Sequence, residues 1–258
     1  MIDQLYAAPR PKPRLEDCHF YHVTDLPEDG GTITVGSDWD LRGRIHDYTG
    51  HVDLAGKRVL DVGTASGFLT FEMEKCGAEV VSFDVDKPER YFLLPEFNDL
   101  FWTDRAEYLR QGRKQIDRLH NSWWYAHHCF KSQAKVVYGT AYDIPDEIGF
   151  FDVVVMGQIL VHLSDPVRAI SSALLRCKDR FVITEGAADT ETPIMGLCAR
   201  AGSNTPWSWW HLSIGLYREL FKMAGFEVEQ INKNSFYCAS EATNMDLFTI
   251  VARRLIPV

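Results

Sequence analysis

Apolar positions change their period several times along the chain, and each change marks an element. Residues 1–55 show no sustained period: Pro9, Pro11 and Pro13 punctuate the start, and Gly30-Gly31 marks a turn. The stretch TITVGSDWDLRGRIHDY (32–48) mixes aromatic, basic and acidic residues, which suits an arm packed on a core. From Lys57 the pattern becomes regular. RVLDVG (58–63) is a short apolar run ending in a turn, GFLTFEMEKC (67–76) has helical spacing stopped by Gly77, and EVVSFDVD (79–86) is a second apolar run. Strand, helix and strand within about thirty residues is the length a parallel crossover needs.

Residues 87–133 break the alternation; they are polar, aromatic and helix-prone, and predict an insertion of one or two helices. AKVVYGTA (134–141) and FDVVVMG (151–157) read as a third and a fourth strand. Asp165 as N-cap, with Pro166 at the first helical position, opens a helix to about Cys177. RFVITEG (180–186) is a fifth strand, Ser213 caps a helix over 214–224 that Gly225 stops, and EVEQI (227–231) and LFTIVARRL (247–255) form a closing strand pair. Helices alternating with near-continuous apolar strands define an α/β fold, with a mostly parallel sheet covered on both faces. The expected organisation is an N-terminal arm over 1–55 packed on a domain over 56–258, with 87–133 as a helical insertion or lid.

In open α/β sheets, ligands bind at the carboxyl ends of strands near the switch in strand order. The first regular strand ends in Asp61-Val62-Gly63-Thr64-Ala65-Ser66-Gly67 and runs into a helix. Gly63 and Gly67 let the backbone approach a ligand, and the helix start offers free N–H groups. Asp84, 17 residues beyond Gly67, closes the second strand, where an acid can accept both hydroxyls of a ribose. The loop is not G-x-G-x-x-G, and it lacks the lysine of a phosphate-gripping loop.

VLDVGTASG followed by VVSFDVD resembles the nucleotide loop and ribose acid of class I S-adenosylmethionine-dependent methyltransferases. The resemblance covers roughly residues 57–255. It implies a Rossmann-like sheet of seven strands, mostly parallel with an antiparallel last strand, and S-adenosylmethionine as cofactor. Asp61, Gly63, Thr64, Ala65, Ser66, Gly67 and Asp84 are then expected to hold the cofactor. Thr140, Ala141 and Tyr142 are expected at its adenine, with Thr140 standing where many members carry Asp. Met156, Gly157 and Gln158, at the end of the fourth strand, are expected beside the methionine moiety.

A narrower resemblance links NSWWYAHHCFKSQAKVVYGTAYDIP, FDVVVMGQILVHLSDPV and the later H-L-S-x-x-x-L-Y-R-E-L-F-K-M-A-G-F to the tRNA wobble-uridine carboxymethyltransferase-like subgroup. That subgroup carries Tyr where this chain has Val161, and the lost hydroxyl disfavours a carboxylated cofactor. The resemblance therefore carries the fold and the cofactor class, without the carboxymethyl chemistry.

Methyl transfer from a sulfonium needs alignment and exclusion of water, and a base where the acceptor is protonated. Three residues are candidates for that base. His162 either takes the proton or caps a helix; Glu185 either reaches the acceptor or is a solvated loop acid. His211, among Trp207, Trp209 and Trp210, either lines a pocket or belongs to an aromatic cover.

Composition narrows the partner. The 258-residue chain carries 27 Lys+Arg against 36 Asp+Glu, a formal charge of −9, which disfavours a polyanionic partner. A small-molecule acceptor is the leading expectation; a tRNA-modifying enzyme and a non-catalytic regulator of the same fold are the alternatives. Between Asp104 and Lys135 there are seven Lys/Arg and three Asp/Glu, either a recognition patch for an anionic acceptor or a solvated face of paired charges. Trp123, Trp124 and Tyr125 cannot share one helix face, so at least one is expected against the sheet.

The six cysteines are scattered without a C-x-x-C pair, which fits a reducing cytosol, and no apolar run suggests a membrane span or a signal peptide. Cys18-His19-x-x-His22 and His127-His128-Cys129 lack paired-finger spacing, so no metal is expected. Nothing in the sequence sets the oligomeric state.

Overall fold

The computed structural model describes residues 5–88, 105–199 and 208–257. The first four residues of the arm, residues 89–104 of the insertion and Trp207 lie outside them.

The arm is more ordered than its lack of period suggests. β1 (Thr24–Glu28) and β2 (Gly31–Val35) form an antiparallel hairpin around Gly30 and Gly31, followed by β3 (Trp39–Asp40) and a short helix α1 (Ile45–Tyr48). Only Thr24 and Leu26 of β1 are buried, and Pro27 removes a donor, so five residues carry too little alternation to read as a strand. β4 (Arg58–Val62), α2 (Phe68–Lys75) and β5 (Glu79–Val85) make the expected crossover. The described part of the insertion is one helix, α3 (Arg105–Phe130).

β6 (Lys135–Gly139), β7 (Phe151–Gly157), α4 (Pro166–Leu174) and β8 (Cys177–Glu185) follow. Asp165 caps α4 by accepting the Arg168 N–H. That helix ends at Leu174, before the expected Cys177, because Cys177 already pairs with Phe151 as the first residue of β8. β9 (Met195–Leu197) and β10 (Trp210–Leu212) form a small separate ladder. α5 (Ile214–Met223), capped by Ser213, leads into the long hairpin of β11 (Phe226–Cys238) and β12 (Thr243–Arg254). This hairpin runs well past the expected EVEQI and LFTIVARRL segments; in the added length Phe236 and Cys238 are buried, while Tyr237 and residues 243–246 are exposed.

The main sheet has the order β3-β11-β12-β8-β7-β4-β5-β6. β6, β5, β4, β7 and β8 are parallel, and β12 runs antiparallel between β8 and β11. The expected seven strands and antiparallel last strand are present, and the two residues of β3 add an eighth strand at the edge. From β4 the chain builds outward to β5 and β6, then returns to place β7 and β8 on the other side. A crevice opens at the carboxyl end of β4, at that reversal.

Side chains of the central strands alternate between two cores. Val59, Val153 and Val155 face a cluster containing α2, α3 and the arm, whereas Leu60, Val62, Val154 and Met156 face α4 and α5. Trp123, Trp124 and Tyr125 are all buried, because α3 is covered on two sides. Trp123 donates its indole N–H to Ser82 of β5 (3.0 Å), while the Tyr125 hydroxyl reaches Glu28 of the arm (2.5 Å). The arm is tied to α3 again by the His19 N–H on Ser122 Oγ (2.7 Å) and by Arg118 on the Cys18 carbonyl (2.6 Å). No helix among the described residues is long and apolar enough to cross a membrane.

These contacts predict that the arm belongs to the folding unit. Leu26, fully buried in the arm-side cluster, tests this: Leu26→Ala is expected to cost about 2–5 kcal/mol in urea unfolding, as core truncations do. A loss below about 0.5 kcal/mol, the level of surface changes, would show that the arm folds separately.

Candidate functional site

A cavity of about 410 Å³ opens over the carboxyl ends of β4, β5 and β7. The loop after β4 forms its floor. Gly63 has a φ of 84°, and a Cβ there would stand 2.6 Å from Ile159 Cδ1. Ala65 also adopts the left-handed region (φ 49°), unusual for a residue with a side chain, and it lines the cavity. Gly67 is required from below instead, because a Cβ would strike Phe71 and Trp123 at 2.5 and 2.8 Å.

Beneath the loop lies a buried polar string. Asp61 Oδ2 accepts the Thr70 hydroxyl (2.6 Å), which also meets Thr64 Oγ1 (2.8 Å) and Ser82 Oγ (2.6 Å). Asp61 Oδ1 has no hydrogen-bond partner among the described residues, and burial pushes this carboxyl's pKa up. Ser66 turns its hydroxyl toward the arm and accepts the Tyr21 N–H (3.3 Å). Asp61, Thr64, Ser66 and Gly67 thus shape and support the loop from behind the cavity wall.

Asp84 stands on the wall at the end of β5. Its two oxygens accept the backbone N–H groups of Ala65 (2.6 Å) and Val85 (2.7 Å), and burial raises its pKa to about 6. Thr140 and Ala141 line the cavity after β6; Tyr142 is buried beside it, its hydroxyl accepting the Ser164 N–H (3.1 Å). Gly157 and Gln158 line it after β7, and Gln158 has a left-handed φ of 52°. Met156, one residue earlier, points into the opposite core.

The three candidate bases separate. His162 is on the cavity wall, in the turn Leu160–His162. Glu185 is neither on the wall nor solvated: it is buried at the end of β8, where Oε1 accepts the Leu160 N–H (2.8 Å). Desolvation raises its pKa to about 8, partly opposed by backbone N–H donors from Ile159, Leu160 and Val161. His211 is exposed on β10, opposite Gly196 and away from the wall, because strand alternation turns the neighbouring Leu212 inward instead. Trp209 lines the cavity, and Trp210 donates its indole N–H to the Ser164 carbonyl (2.9 Å).

Sequence reading missed the opposite wall. Tyr21, His22, Trp39, Leu41 and Tyr48 come from the arm, and Tyr108, Gly112, Gln115, Ile116 and Leu119 from α3. One signal was present: Gly112 sits inside a helical pattern, and a Cβ there would approach Pro88 to 3.0 Å. Among the described residues no Lys or Arg lines the cavity. On α3, Arg110 pairs with Glu107 and Arg118 holds the arm, which is how a face of paired charges behaves. Among the described residues no group of three His, Cys, Asp or Glu is placed to hold a metal.

A family model described as a methyltransferase domain matches residues 40–231. The fold is similar to magnesium protoporphyrin IX methyltransferase from Synechocystis PCC 6803 with bound S-adenosylmethionine: TM-score 0.50 and 13% identity, over 81% of this chain and 76% of that one. It is also similar to a SAM-dependent methyltransferase from Methanosarcina mazei, with TM-score 0.52 and 16% identity over 84% and 99% of the two chains. A ubiquinone biosynthesis O-methyltransferase from Nitrosococcus oceani is 40% identical over 60 residues, 19% of this chain. The match spans only 25% of that curated relative. The chain belongs to the methyltransferase-domain family, in the class whose cofactor is S-adenosylmethionine. The site fits that cofactor: among the described residues, the buried acid Asp84 accepts from the backbone N–H groups of Ala65 and Val85, and Gly63 leaves a cradle that a Cβ would close.

Glu185 makes stability depend on pH. The folded value of about 8 exceeds the ordinary 4.5, so between these values the folded chain holds more of this proton than the unfolded one. Its contribution is complete below about pH 4.5 and is lost as pH rises toward 8. Glu185→Gln is expected to gain stability relative to the parent as urea melts move from pH 5 to pH 8. A constant difference between the two proteins across that range would contradict the assignment.

Proposed function

We propose that this chain transfers a methyl group from S-adenosylmethionine to an oxygen, nitrogen or carbon of a small-molecule acceptor. The observation that carries the reading is the cavity itself, which continues from the cofactor loop to a wall of arm and α3 side chains. Such a chamber suits a compact acceptor better than a polymer.

When bound, the cofactor supplies a methyl group activated by a sulfonium; the chain supplies position, dryness and proton handling. Asp84 would accept the ribose hydroxyls, Thr140 and Ala141 would meet the adenine, and Gly63 and Ala65 would let the backbone pass close beneath. Gly157 and Gln158 would flank the methionine end. The aromatic faces of Tyr21, Trp39 and Tyr48 exclude water and favour a cationic centre. For an oxygen or nitrogen acceptor, His162 is the wall residue proposed to take the proton. Glu185 then acts from behind, holding the turn that carries His162.

The aromatic faces of Tyr21, Trp39 and Tyr48 on the wall favour an acceptor with an aromatic or apolar body. A second reading, modification of tRNA, rests on the resemblance of the central segments to the wobble-uridine subgroup.

Two measurements test the reading. Asp84→Ala is expected to weaken S-adenosylmethionine binding by about 1.5–3 kcal/mol in calorimetry, the worth of hydrogen bonds to a charged group; unchanged affinity removes Asp84 from the site. Radiolabelled S-adenosylmethionine incubated with a cell extract should label the small-molecule fraction. Label confined to RNA would establish the second reading in its place.

A further inference from the structure

We infer that His22, on the arm, receives the carboxylate of the cofactor's amino-acid end and donates a ring N–H to it. This rests on the cofactor reading above, in which ribose sits at Asp84 and adenine at Thr140 and Ala141. The rest of the cofactor must then run the other way, across the loop after β4 toward Gly157 after β7. That is two strand spacings, about 10 Å.

An amino-acid end arriving there brings a carboxylate into a wall where no Lys or Arg stands among the described residues. Two wall residues carry an imidazole, His22 and His162. His162 sits on the turn after β7, whereas His22 sits over the start of α2. Its ring stacks on Phe68, the first residue of that helix, at 5.3 Å and 29°. The preceding residue, Tyr21, is tied to Ser66 in the cofactor loop itself.

The ring is held rather than loose. The Val23 N–H binds the Trp39 carbonyl (2.7 Å), and Gly36 passes so close that a Cβ there would stand 2.1 Å from the His22 carbonyl oxygen. Yet neither ring nitrogen has a hydrogen-bond partner among the described residues, and Nδ1 is fully buried. Nδ1 is closed off, so Nε2 is the nitrogen of this cavity-lining ring that is left to meet a ligand. Phe68, on which the ring stacks, is the first residue of α2, and the first N–H groups of a helix, which have no partner within it, favour an anion. Burial lowers the ring's pKa to about 4, so before the ligand arrives it is neutral, with one N–H to donate. A carboxylate beside it strengthens that bond or draws a second proton onto the ring.

The test compares two ligands by calorimetry: S-adenosylhomocysteine, which has the amino-acid end, and 5′-methylthioadenosine, which lacks it. His22→Phe keeps the stack on Phe68 and removes both nitrogens; His22→Gln keeps an N–H donor and serves if the first variant does not fold. The expected result for His22→Phe is a loss of about tenfold to a hundredfold for S-adenosylhomocysteine, with 5′-methylthioadenosine changed by less than about twofold. His22→Gln is expected to lose less. Equal losses for both ligands would make His22 a structural support and overturn the inference, as would no loss for either. Should the parent protein bind neither ligand, the cofactor reading fails, and this inference with it. Should the parent bind both and only the discrimination be missing, the cofactor reading stands and the role of His22 alone is lost.

Discussion

Four buried side-chain hydrogen bonds under the loop after β4 set the frame for everything above them. Asp61, Thr64, Thr70, Ser82 and Trp123 join two sheet strands, the first helix of the crossover and the long insertion helix at one point. In a low-dielectric interior each bond is strong, and each lost partner leaves a costly unsatisfied group. The loop above is consequently held in an uncommon conformation, with Gly63, Ala65 and Gly67 all at positive φ. Asp84 completes the arrangement from the next strand by accepting the Ala65 N–H. A ligand arriving at this loop meets donors and acceptors already in place.

The other half of the site is built by segments that are not part of the sheet's repeating pattern. The arm crosses the crevice and puts Tyr21, His22, Trp39 and Tyr48 opposite the loop. α3 closes one side. Its buried aromatics are shared between sheet and arm, so this helix is anchored by the same core that supports the floor. Glu185 extends this logic to the far strand: a buried acid at the end of β8 gathers the N–H groups of the turn after β7.

How much of this was legible varies by residue and for physical reasons. Gly63 and Asp84 were readable as cavity residues because their chemistry is local: one needs backbone room, the other ends a strand at the crevice. Met156 and Gly157 were read together, yet strand alternation sends one into the opposite core and the other onto the cavity wall. Glu185 and His211 both sit near the expected reaction side. The first is consumed by backbone donors and the second turns outward, and neither outcome is encoded in neighbouring residues.

By itself, the sequence determined the parallel sheet, the helix caps at Asp165 and Ser213, the glycine loop after β4 and the acid that binds it. Those features depend on periodicity and on residues close together in the chain. Only the tertiary structure decided which side chains line the cavity, and that β1 and β2 pair in the arm. It also decided that a histidine about forty residues before the loop stands over its helix. These depend on contacts between segments distant in sequence, whose direction is set by packing and by hydrogen-bond satisfaction. No local pattern records them.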